Sequence, residues 1–358
     1  MALQQRGDPV SGLTFPFEAK PGPGEAIEVA PGVLWARLPL PFSLDHINIW
    51  LVEDGDGWAV VDTGLRGHNT EALWQQLFTG PMAGRPVTKV VVTHLHPDHV
   101  GQAGWLCRHF GAPLWMTREE FLTARLLCLD VRDEPPPEAV DFYRRAGFTD
   151  TMMQTYMARG FGSFAQGVTD LPLGHCRLND GGTIEIGGKA WEVVVGRGHS
   201  PEHASLWCAE LGLLISGDQV LPRISSNVSV NLSDPEGDPL TDWLDSLELI
   251  ARRVPDDVMV LPSHNEPFYG LHHRLTRLAI GHQRRLDTII EALEAPRHAV
   301  DLLGPMFRRP LEGHDLILAL GEGLAHLHCL RQRGMIARDE GADGIHYWRR
   351  LVAARDAA

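Results

Sequence analysis

Residues 90–102 of this chain have the sequence VVVTHLHPDHVGQ. The three leading valines form a short apolar run that is typical of a buried strand. Directly after it, His94, His96, Asp98 and His99 supply three imidazoles and one carboxylate within six residues. Imidazole nitrogens and carboxylate oxygens are suitable ligands for zinc and related divalent metals. The stretch therefore predicts a metal site at the end of a strand.

The spacing of these residues indicates two ions rather than one. Alternate side chains of an extended segment share a face, so His94 and His96 can bind the same ion. Pro97 ends the strand, and the turn that follows can direct Asp98 and His99 toward a second ion.

One cluster cannot complete two metal sites, so further ligands are needed downstream. Three candidates, His199, Asp218 and His264, each follow an apolar segment that has the character of a strand, and Asp62 follows another. Functional side chains of layered α/β proteins gather where strands end. We therefore expect these residues to share one cleft with the 94–99 cluster.

Length and composition indicate a globular protein with more than one core. The 358 residues, of which 44% are hydrophobic and 22% charged, suggest two domains. The five cysteines are scattered without a CxxC pair, which is typical of reduced thiols. The N-terminus has no apolar segment of the signal-peptide kind, and no run approaches 18 apolar residues. We therefore expect a cytoplasmic protein with no membrane span.

The pattern of elements changes near residue 270. Up to that point hairpins and strand–helix units alternate, which predicts a layered α/β (α+β) domain over residues 1–270 with a helical insertion at about 117–165. Residues 271–358 begin with an amphipathic helix and are predicted to form a small, winged-helix-like domain. Its further predicted elements are helices at about 297–307 and 314–333 and a hairpin with its tip at 341–344.

The charge distribution bears on the partners. The net charge is −14, although residues 271–358 alone carry 13 arginines and 11 acidic residues. An acidic body argues against a polyanionic partner such as RNA or DNA, because phosphate binding generally needs a concentrated basic surface. We expect a small-molecule substrate, and the C-terminal domain makes a homodimer plausible.

Five segments stand in an order that resembles the metallo-β-lactamase fold superfamily: VVDTG, THLHPDH, GHSPEH, SGD and LPSH. The resemblance covers roughly residues 30–270. Within the superfamily the chain is most similar to hydroxyacylglutathione-hydrolase-like and lactamase-beta-2-like proteins, some of which carry a winged-helix-like C-terminal domain. The resemblance implies a four-layer αβ/βα sandwich with a dinuclear metal site at the sheet edges.

The same resemblance assigns ligands to each ion. It implies that one metal is bound by His94, His96 and His199, that the other is bound by Asp98, His99 and His264, and that Asp218 bridges both. Asp62 matches an aspartate that usually supports the site without binding metal. One departure lies at residues 197–203, where many relatives have Pro-Gly-His-Ser-Pro-Gly-His and this chain has Arg-Gly-His-Ser-Pro-Glu-His.

Such a site predicts hydrolysis. Two divalent ions about 3.5–4 Å apart can share a water and lower its pKa toward about 7, which gives a nucleophile without a serine or cysteine. Asp98 and Asp218 are the predicted catalytic residues, since they can orient the hydroxide or relay a proton. We expect a small ester, thioester or lactone as substrate. Zn(II) suits the ligands best, with Fe(II) and Mn(II) as the other candidates.

The sequence says less about the residues that contact the substrate than about the metal ligands. Arg223 could bind a carboxylate or phosphate with its bidentate guanidinium, His46 lies in a loop that could form the cleft rim, and Tyr156 lies in an insertion that could be an apolar lid. Surface exposure or core packing is the competing interpretation for each.

The alternative function is a ribonuclease, phosphodiesterase or nucleic-acid-binding member of the superfamily, and β-lactamase activity is opposed by the missing signal peptide.

Overall fold

The computed structural model describes residues 11–42, 44–307 and 310–351. Within these residues the chain forms two large β-sheets, a two-stranded hairpin and ten α-helices. It divides into two compact units. The first comprises the described residues up to Val131 with Gly162–Ser226 and Ser246–Leu275. The second comprises Arg132–Phe161, Asn227–Asp245 and the described residues from Thr276 onward.

The first sheet has seven strands in sequential order. They are β1 (Ala26–Ala30), β2 (Val33–Pro39), β3 (His46–Asp54), β4 (Gly57–Val61), β5 (Val87–Val91), β6 (Leu114–Met116) and β7 (Cys176–Arg177). Strands β1 to β4 form an antiparallel meander, whereas β4 to β7 pair in parallel. The parallel part directs the carboxyl ends of β4 and β5 to the same edge of the sheet.

The second sheet has five strands in the order β12-β11-β10-β9-β8. They are β8 (Thr183–Ile186), β9 (Lys189–Gly196), β10 (His203–Cys208), β11 (Leu213–Gly217) and β12 (Met259–Pro262). All five strands lie in the described part of the chain. Strands β11 and β12 pair in parallel, and the other three pairs are antiparallel.

The other elements of the described residues are ten helices and the two-stranded hairpin. The helices are α1 (His68–Thr79), α2 (Pro97–Val100), α3 (Ala103–Phe110), α4 (Arg118–Leu129), α5 (Pro137–Arg145), α6 (Asp150–Met157), α7 (Pro239–Arg253), α8 (Leu271–Ala292), α9 (Ala299–Met306) and α10 (Gly313–Gln332), and the hairpin strands are β13 (Ile336–Glu340) and β14 (His346–Arg350). A 3-10 helix spans Ser163–Gly167. None of the helices in this part of the chain is long and apolar enough to cross a membrane.

The central strands β3 and β4 of the first sheet are buried on both faces, and their successive side chains point to opposite sides of the sheet. Ile49 of β3 contributes to the cluster shared with α1, α3 and α4, whereas its neighbour Trp50 contributes to the cluster shared with the second sheet. Val90 and Val91 of β5 divide in the same way. The apolar run in the sequence therefore corresponds to a strand between two cores, as parallel strands require.

The two sheets pack face to face. Trp35 and Trp50 of the first sheet share one buried cluster with Trp191 and Leu206 of the second. On the outer side of the second sheet, Arg253 at the end of α7 donates from Nη2 to the carbonyl oxygen of Val193, at 3.1 Å. Helix, sheet, sheet and helix layers confirm the predicted four-layer αβ/βα sandwich.

The two compact units are not separated by a single boundary after residue 270, because the second unit also contains two segments from earlier in the chain. Helices α5 and α6 of the predicted insertion belong to the same unit as the C-terminal helices, where Val300 N donates to Ala146 O at 3.2 Å. Residues 227–245 join the same unit, and Val230 N donates to Gly321 O at 3.1 Å. Segments far apart in sequence therefore belong to one compact unit. The predicted C-terminal helices and hairpin are present, while their winged-helix likeness stays a prediction.

Asn48 of β3 connects the two sheets near the strand ends. Its Nδ2 donates to Pro262 O at 2.7 Å and to Asn265 O at 2.9 Å, and its Oδ1 accepts from Trp35 Nε1 at 2.8 Å. The side chain is fully buried, so the Trp35 indole N–H and the Pro262 carbonyl would lose this partner without replacement by solvent, whereas the Asn265 carbonyl keeps a hydrogen bond from Arg37 Nη2 at 3.0 Å.

We predict that Asn48→Ala lowers the free energy of unfolding by about 2–3 kcal/mol, because it removes the hydrogen bonds that Asn48 makes to the buried Pro262 carbonyl and the buried Trp35 indole N–H. Equilibrium urea denaturation measures the change. Asn69→Ala is the matched control, since Asn69 is exposed on α1. Equal stability of the two variants would contradict the account.

Candidate metal centre

The ends of four strands bring the predicted ligands together. The 94–99 cluster follows β5, and the three downstream candidates follow β9, β11 and β12. In the structure the seven side chains form three overlapping groups whose ligand atoms lie within 4.8 Å of one another. These groups are His94–His96–His199, His94–His99–Asp218 and Asp98–His99–His264.

Three imidazoles form the first half of the site. His94 Nε2 lies 2.9 Å from His96 Nδ1 and 3.2 Å from His199 Nε2. Donors that bind one zinc ion at 2.0–2.1 Å lie about 3–3.5 Å apart. The three nitrogens therefore have the spacing of ligands to a single ion, as the sequence predicts for His94 and His96.

Asp98, His99 and His264 form the second half. Asp98 Oδ2 lies 3.6 Å from His99 Nε2 and 3.4 Å from His264 Nε2. Asp218 lies between the halves: its Oδ2 is 3.5 Å from His199 Nε2, and its Oδ1 is 3.4 Å from His264 Nε2. One carboxylate thus faces both groups, which is the arrangement of a bridging ligand.

Two buried atoms indicate that the donor set fits metal ions. Among the described residues, His99 Nε2 and Asp218 Oδ1 are buried and have no hydrogen-bond partner. Leaving such atoms unpaired costs about 1–3 kcal/mol each. Bound divalent ions would satisfy both atoms, and the surrounding imidazole and carboxylate donors are those that zinc-type metals prefer.

Residues behind the ligands fix the orientation of the rings. Asp62 Oδ2 lies 2.8 Å from His99 Nδ1, and Asp62 Oδ1 accepts from Thr93 N at 2.8 Å. His264 Nδ1 donates to His46 O at 2.7 Å. Each contact leaves the Nε2 of that ring facing the site, which is the usual effect of outer partners on metal-binding histidines. Asp62 thus takes the supporting position that the resemblance implies.

The backbone of Asp218 is held separately. Asp218 N donates to His203 Nε2 at 3.0 Å, and Ser226 Oγ donates to Asp218 O. Gly217, which precedes it, has φ 52°, and a Cβ there would lie 2.3 Å from His203 Nε2. Only glycine fits this position, so the SGD segment places Asp218 by backbone geometry as well as by its side chain.

The two halves differ in charge. Burial and the neighbouring imidazoles lower the pKa of His94 well below its usual value and that of His96 to about 3, so both rings are neutral donors. Burial also opposes protonation of His264, but the Asp218 and Asp98 carboxylates outweigh it and raise its pKa to about 10. Metal binding at the second half therefore requires release of a proton, and its affinity should rise with pH.

Glu120, which the sequence analysis missed, connects two of the ligand loops. Its buried carboxylate accepts from Leu95 N at 2.8 Å, from Ser200 Oγ at 2.6 Å and from Glu202 N at 2.7 Å. Leu95 lies between two predicted ligands, and Ser200 follows His199. Burial raises the pKa of Glu120 to about 7 against the effect of these donors. In the sequence it is only an acidic residue in the first turn of a helix, which gives no sign of this role.

His46 connects three neighbouring segments through its side chain. Its Nδ1 lies 2.5 Å from Asp45 Oδ1, and its Nε2 accepts from Arg37 Nη2 and from Asn265 N, both at 2.9 Å. Together with its carbonyl contact to His264, these bonds anchor the loop after β12. A direct contact between His46 and substrate stays a prediction.

Arg223 and Tyr156 lie in different units. Arg223 Nε donates to Glu266 Oε2 at 2.8 Å, with the guanidinium over the ring of Phe15. Tyr156 belongs to the second unit, where its ring centroid lies 4.3 Å from that of Tyr143. There it lines a cavity of about 320 Å³ with α10 residues such as Leu316. Substrate contact by either side chain stays a prediction.

We predict that Glu120→Ala weakens metal binding about 10–100-fold, because the two ligand loops lose their common anchor. Competition with a chromogenic chelator measures the affinity. Glu119→Ala is the control, since Glu119 is the exposed neighbour on the same helix. An unchanged affinity in Glu120→Ala would show that the loops hold their positions without it.

Comparison with known proteins gives a consistent result for both parts of the chain. A family model described as the metallo-β-lactamase superfamily matches residues 43–264, and a model described as the metallo-β-lactamase-like C-terminal domain matches residues 286–351. Among curated proteins, the probable metallo-hydrolase YqjP of Bacillus subtilis is 24% identical over 310 residues, which cover 83% of this chain and 92% of that relative.

Two solved structures extend the comparison to nearly the whole chain. A β-lactamase domain protein from Burkholderia ambifaria is 39% identical with a TM-score of 0.89, covering 96% of this chain and 100% of that one. A metallo-β-lactamase family protein from Thermus thermophilus is 27% identical with a TM-score of 0.73, covering 90% and 100%. The chain therefore belongs to the metallo-β-lactamase superfamily of metallo-hydrolases, whose members generally bind divalent metals.

Proposed function

We propose that this protein is a dinuclear metal-dependent hydrolase of a small ester, thioester or lactone. The observation that carries the proposal is the position of Asp218, whose two oxygens face the two groups of ligands at 3.4–3.6 Å. A pair of divalent ions would supply an activated water near neutral pH and an electrophile for the carbonyl oxygen.

The chain itself supplies the orientation and the exclusion of solvent. His94 and His99 are fully buried, so their rings are fixed before any ligand binds. Asp218 lies between the two halves and is placed to hold the attacking water. Asp98 has the more exposed carboxylate of the two, at 19% against 11%, so we assign to it the relay of the proton that the attacking water loses to the leaving group.

No side-chain nucleophile is required for this reaction. Burial raises the pKa of the Cys107 thiol to about 12, so this cysteine is protonated at neutral pH. Five imidazoles and two carboxylates favour Zn(II), and the same donors also accept Fe(II) and Mn(II). Elemental analysis of the purified protein identifies the metal.

We predict that His94→Ala lowers kcat/KM toward thioesters or lactones by more than about 100-fold, because it removes a ligand from the first half of the site. Loss of a residue that only supports a metal ligand typically costs about 10–100-fold. Dialysis of the wild-type protein against a chelator should abolish the same activity, and Zn(II) should restore it. A panel of esters, thioesters, lactones and phosphodiesters provides the measurement.

His68→Ala is the control for this prediction, because His68 is an exposed histidine on α1. Activity that survives both chelation and His94→Ala would refute the metal-dependent mechanism. Hydrolysis confined to phosphodiesters would instead favour the nuclease-type alternative.

A second prediction concerns Arg223. Glu266 accepts ion pairs from both Arg223 and Lys20, so this group carries one positive charge in excess. Arg223→Gln should therefore raise KM for substrates that carry a carboxylate and leave KM for neutral substrates unchanged. Arg252→Gln, at an exposed arginine of α7, is the matched control. Equal effects on charged and neutral substrates would assign Arg223 a structural role only.

A further inference from the structure

A second group of metal-ligand side chains lies entirely within the second unit. His282 belongs to α8, and Glu322 and His326 belong to α10. One ligand atom from each residue lies within 4.8 Å of the ligand atoms of the other two, as in the groups at the strand ends. We propose that these three residues bind a divalent transition-metal ion of the zinc class, independently of the site at the strand ends.

Helix geometry explains why the three side chains meet. Glu322 and His326 are four residues apart on α10 and therefore lie on the same face. His282 projects from α8, and its Nδ1 lies 3.2 Å from His326 Nε2. That distance equals the one between His94 Nε2 and His199 Nε2 in the strand-end site and suits two nitrogens on one tetrahedral ion.

The ring of His326 is oriented as in other metal-binding histidines. Its Nδ1 donates to Glu322 O, one helical turn earlier, at 2.7 Å. This bond places the proton on Nδ1 and leaves the Nε2 lone pair facing His282. A backbone acceptor behind a histidine is the usual outer partner of a metal ligand.

Glu322 has capacity for a further contact. Arg285 Nη1 lies 3.0 Å from Glu322 Oε1, and Asn227 Nδ2 donates to Oε2 at 3.3 Å. Each carboxylate oxygen has two lone pairs, so one partner on each leaves a lone pair for a metal. The Arg285 charge opposes a bound cation, and we therefore expect weaker binding here than at the strand ends.

Burial and charge favour the ligand form of the two histidines. Both rings are fully buried, and burial lowers their pKa values, for His326 to about 3, with the Arg285 charge acting in the same direction. Neutral imidazoles need not release a proton to bind metal.

Metal content of the full-length protein tests the proposal. After equilibration with ZnCl₂ and gel filtration, His282→Gln and His326→Gln should each contain about one equivalent of zinc less than wild type. His314→Gln is the control, because His314 is an exposed histidine of the same helix. His94→Ala should lose zinc from the strand-end site and retain the C-terminal equivalent, so failure of either site is distinguishable from failure of the other.

Equal zinc content in wild type, His282→Gln and His326→Gln would overturn the proposal and show a histidine pair held by a hydrogen bond alone. If the variants do not fold, crystals of the wild-type protein soaked in ZnCl₂ decide the question. An anomalous peak between His282 Nδ1 and His326 Nε2 supports the site, and no peak there refutes it.

Discussion

The structure depends on burying a dense set of polar groups at the strand ends. Imidazoles and carboxylates leave water at a cost of several kcal/mol each unless every donor and acceptor finds a partner. The site meets this constraint with nested contacts: Asp62 behind His99, the carbonyl of His46 behind His264, and the ring of His203 behind the backbone of Asp218. Two of the buried atoms that have no hydrogen-bond partner among the described residues, His99 Nε2 and Asp218 Oδ1, face the proposed metals.

The layered fold makes these contacts possible. Parallel strands of the first sheet and the parallel β11–β12 pair of the second end on the same side of the sandwich, so loops from both sheets converge there. Asn48 and Glu120 then connect these loops to one another through buried hydrogen bonds. Rigid supports of this kind keep ligand atoms at fixed distances, which metal binding and catalysis both require.

The two metal-ligand groups differ in their counter-charges. Three carboxylates, from Asp62, Asp98 and Asp218, surround His99 at the strand ends and offset the charge of two divalent ions. In the second unit the group has one carboxylate, Glu322, which is paired with Arg285. The same types of ligand therefore predict strong binding in the first case and weaker binding in the second.

Much of the catalytic unit could be predicted from the sequence. Apolar runs that end in His, Asp or Gly residues identify the strands, and the density of imidazoles and carboxylates in HxHxDH identifies the ligands. The expectation that Pro97 ends the strand was wrong, because β5 ends at Val91 and residues 93–96 form a bend. The amphipathic period likewise located α8, because it is a property of one short segment. The division into units was less predictable, because α5 and α6 pack with helices some 150 residues away, and no local pattern encodes a packing partner.

The residues that only the tertiary structure could identify all act across long sequence separations. Glu120 is an ordinary first-turn glutamate until the 95 and 200 loops meet it, and His282 and His326 are ordinary helical histidines until α8 and α10 place their rings 3.2 Å apart. The sequence by itself determined which side chains can bind metal, because ligand chemistry and local spacing are properties of short segments. The packing of distant segments determined which of them meet, because burial and hydrogen-bond satisfaction are established only when the whole core is assembled.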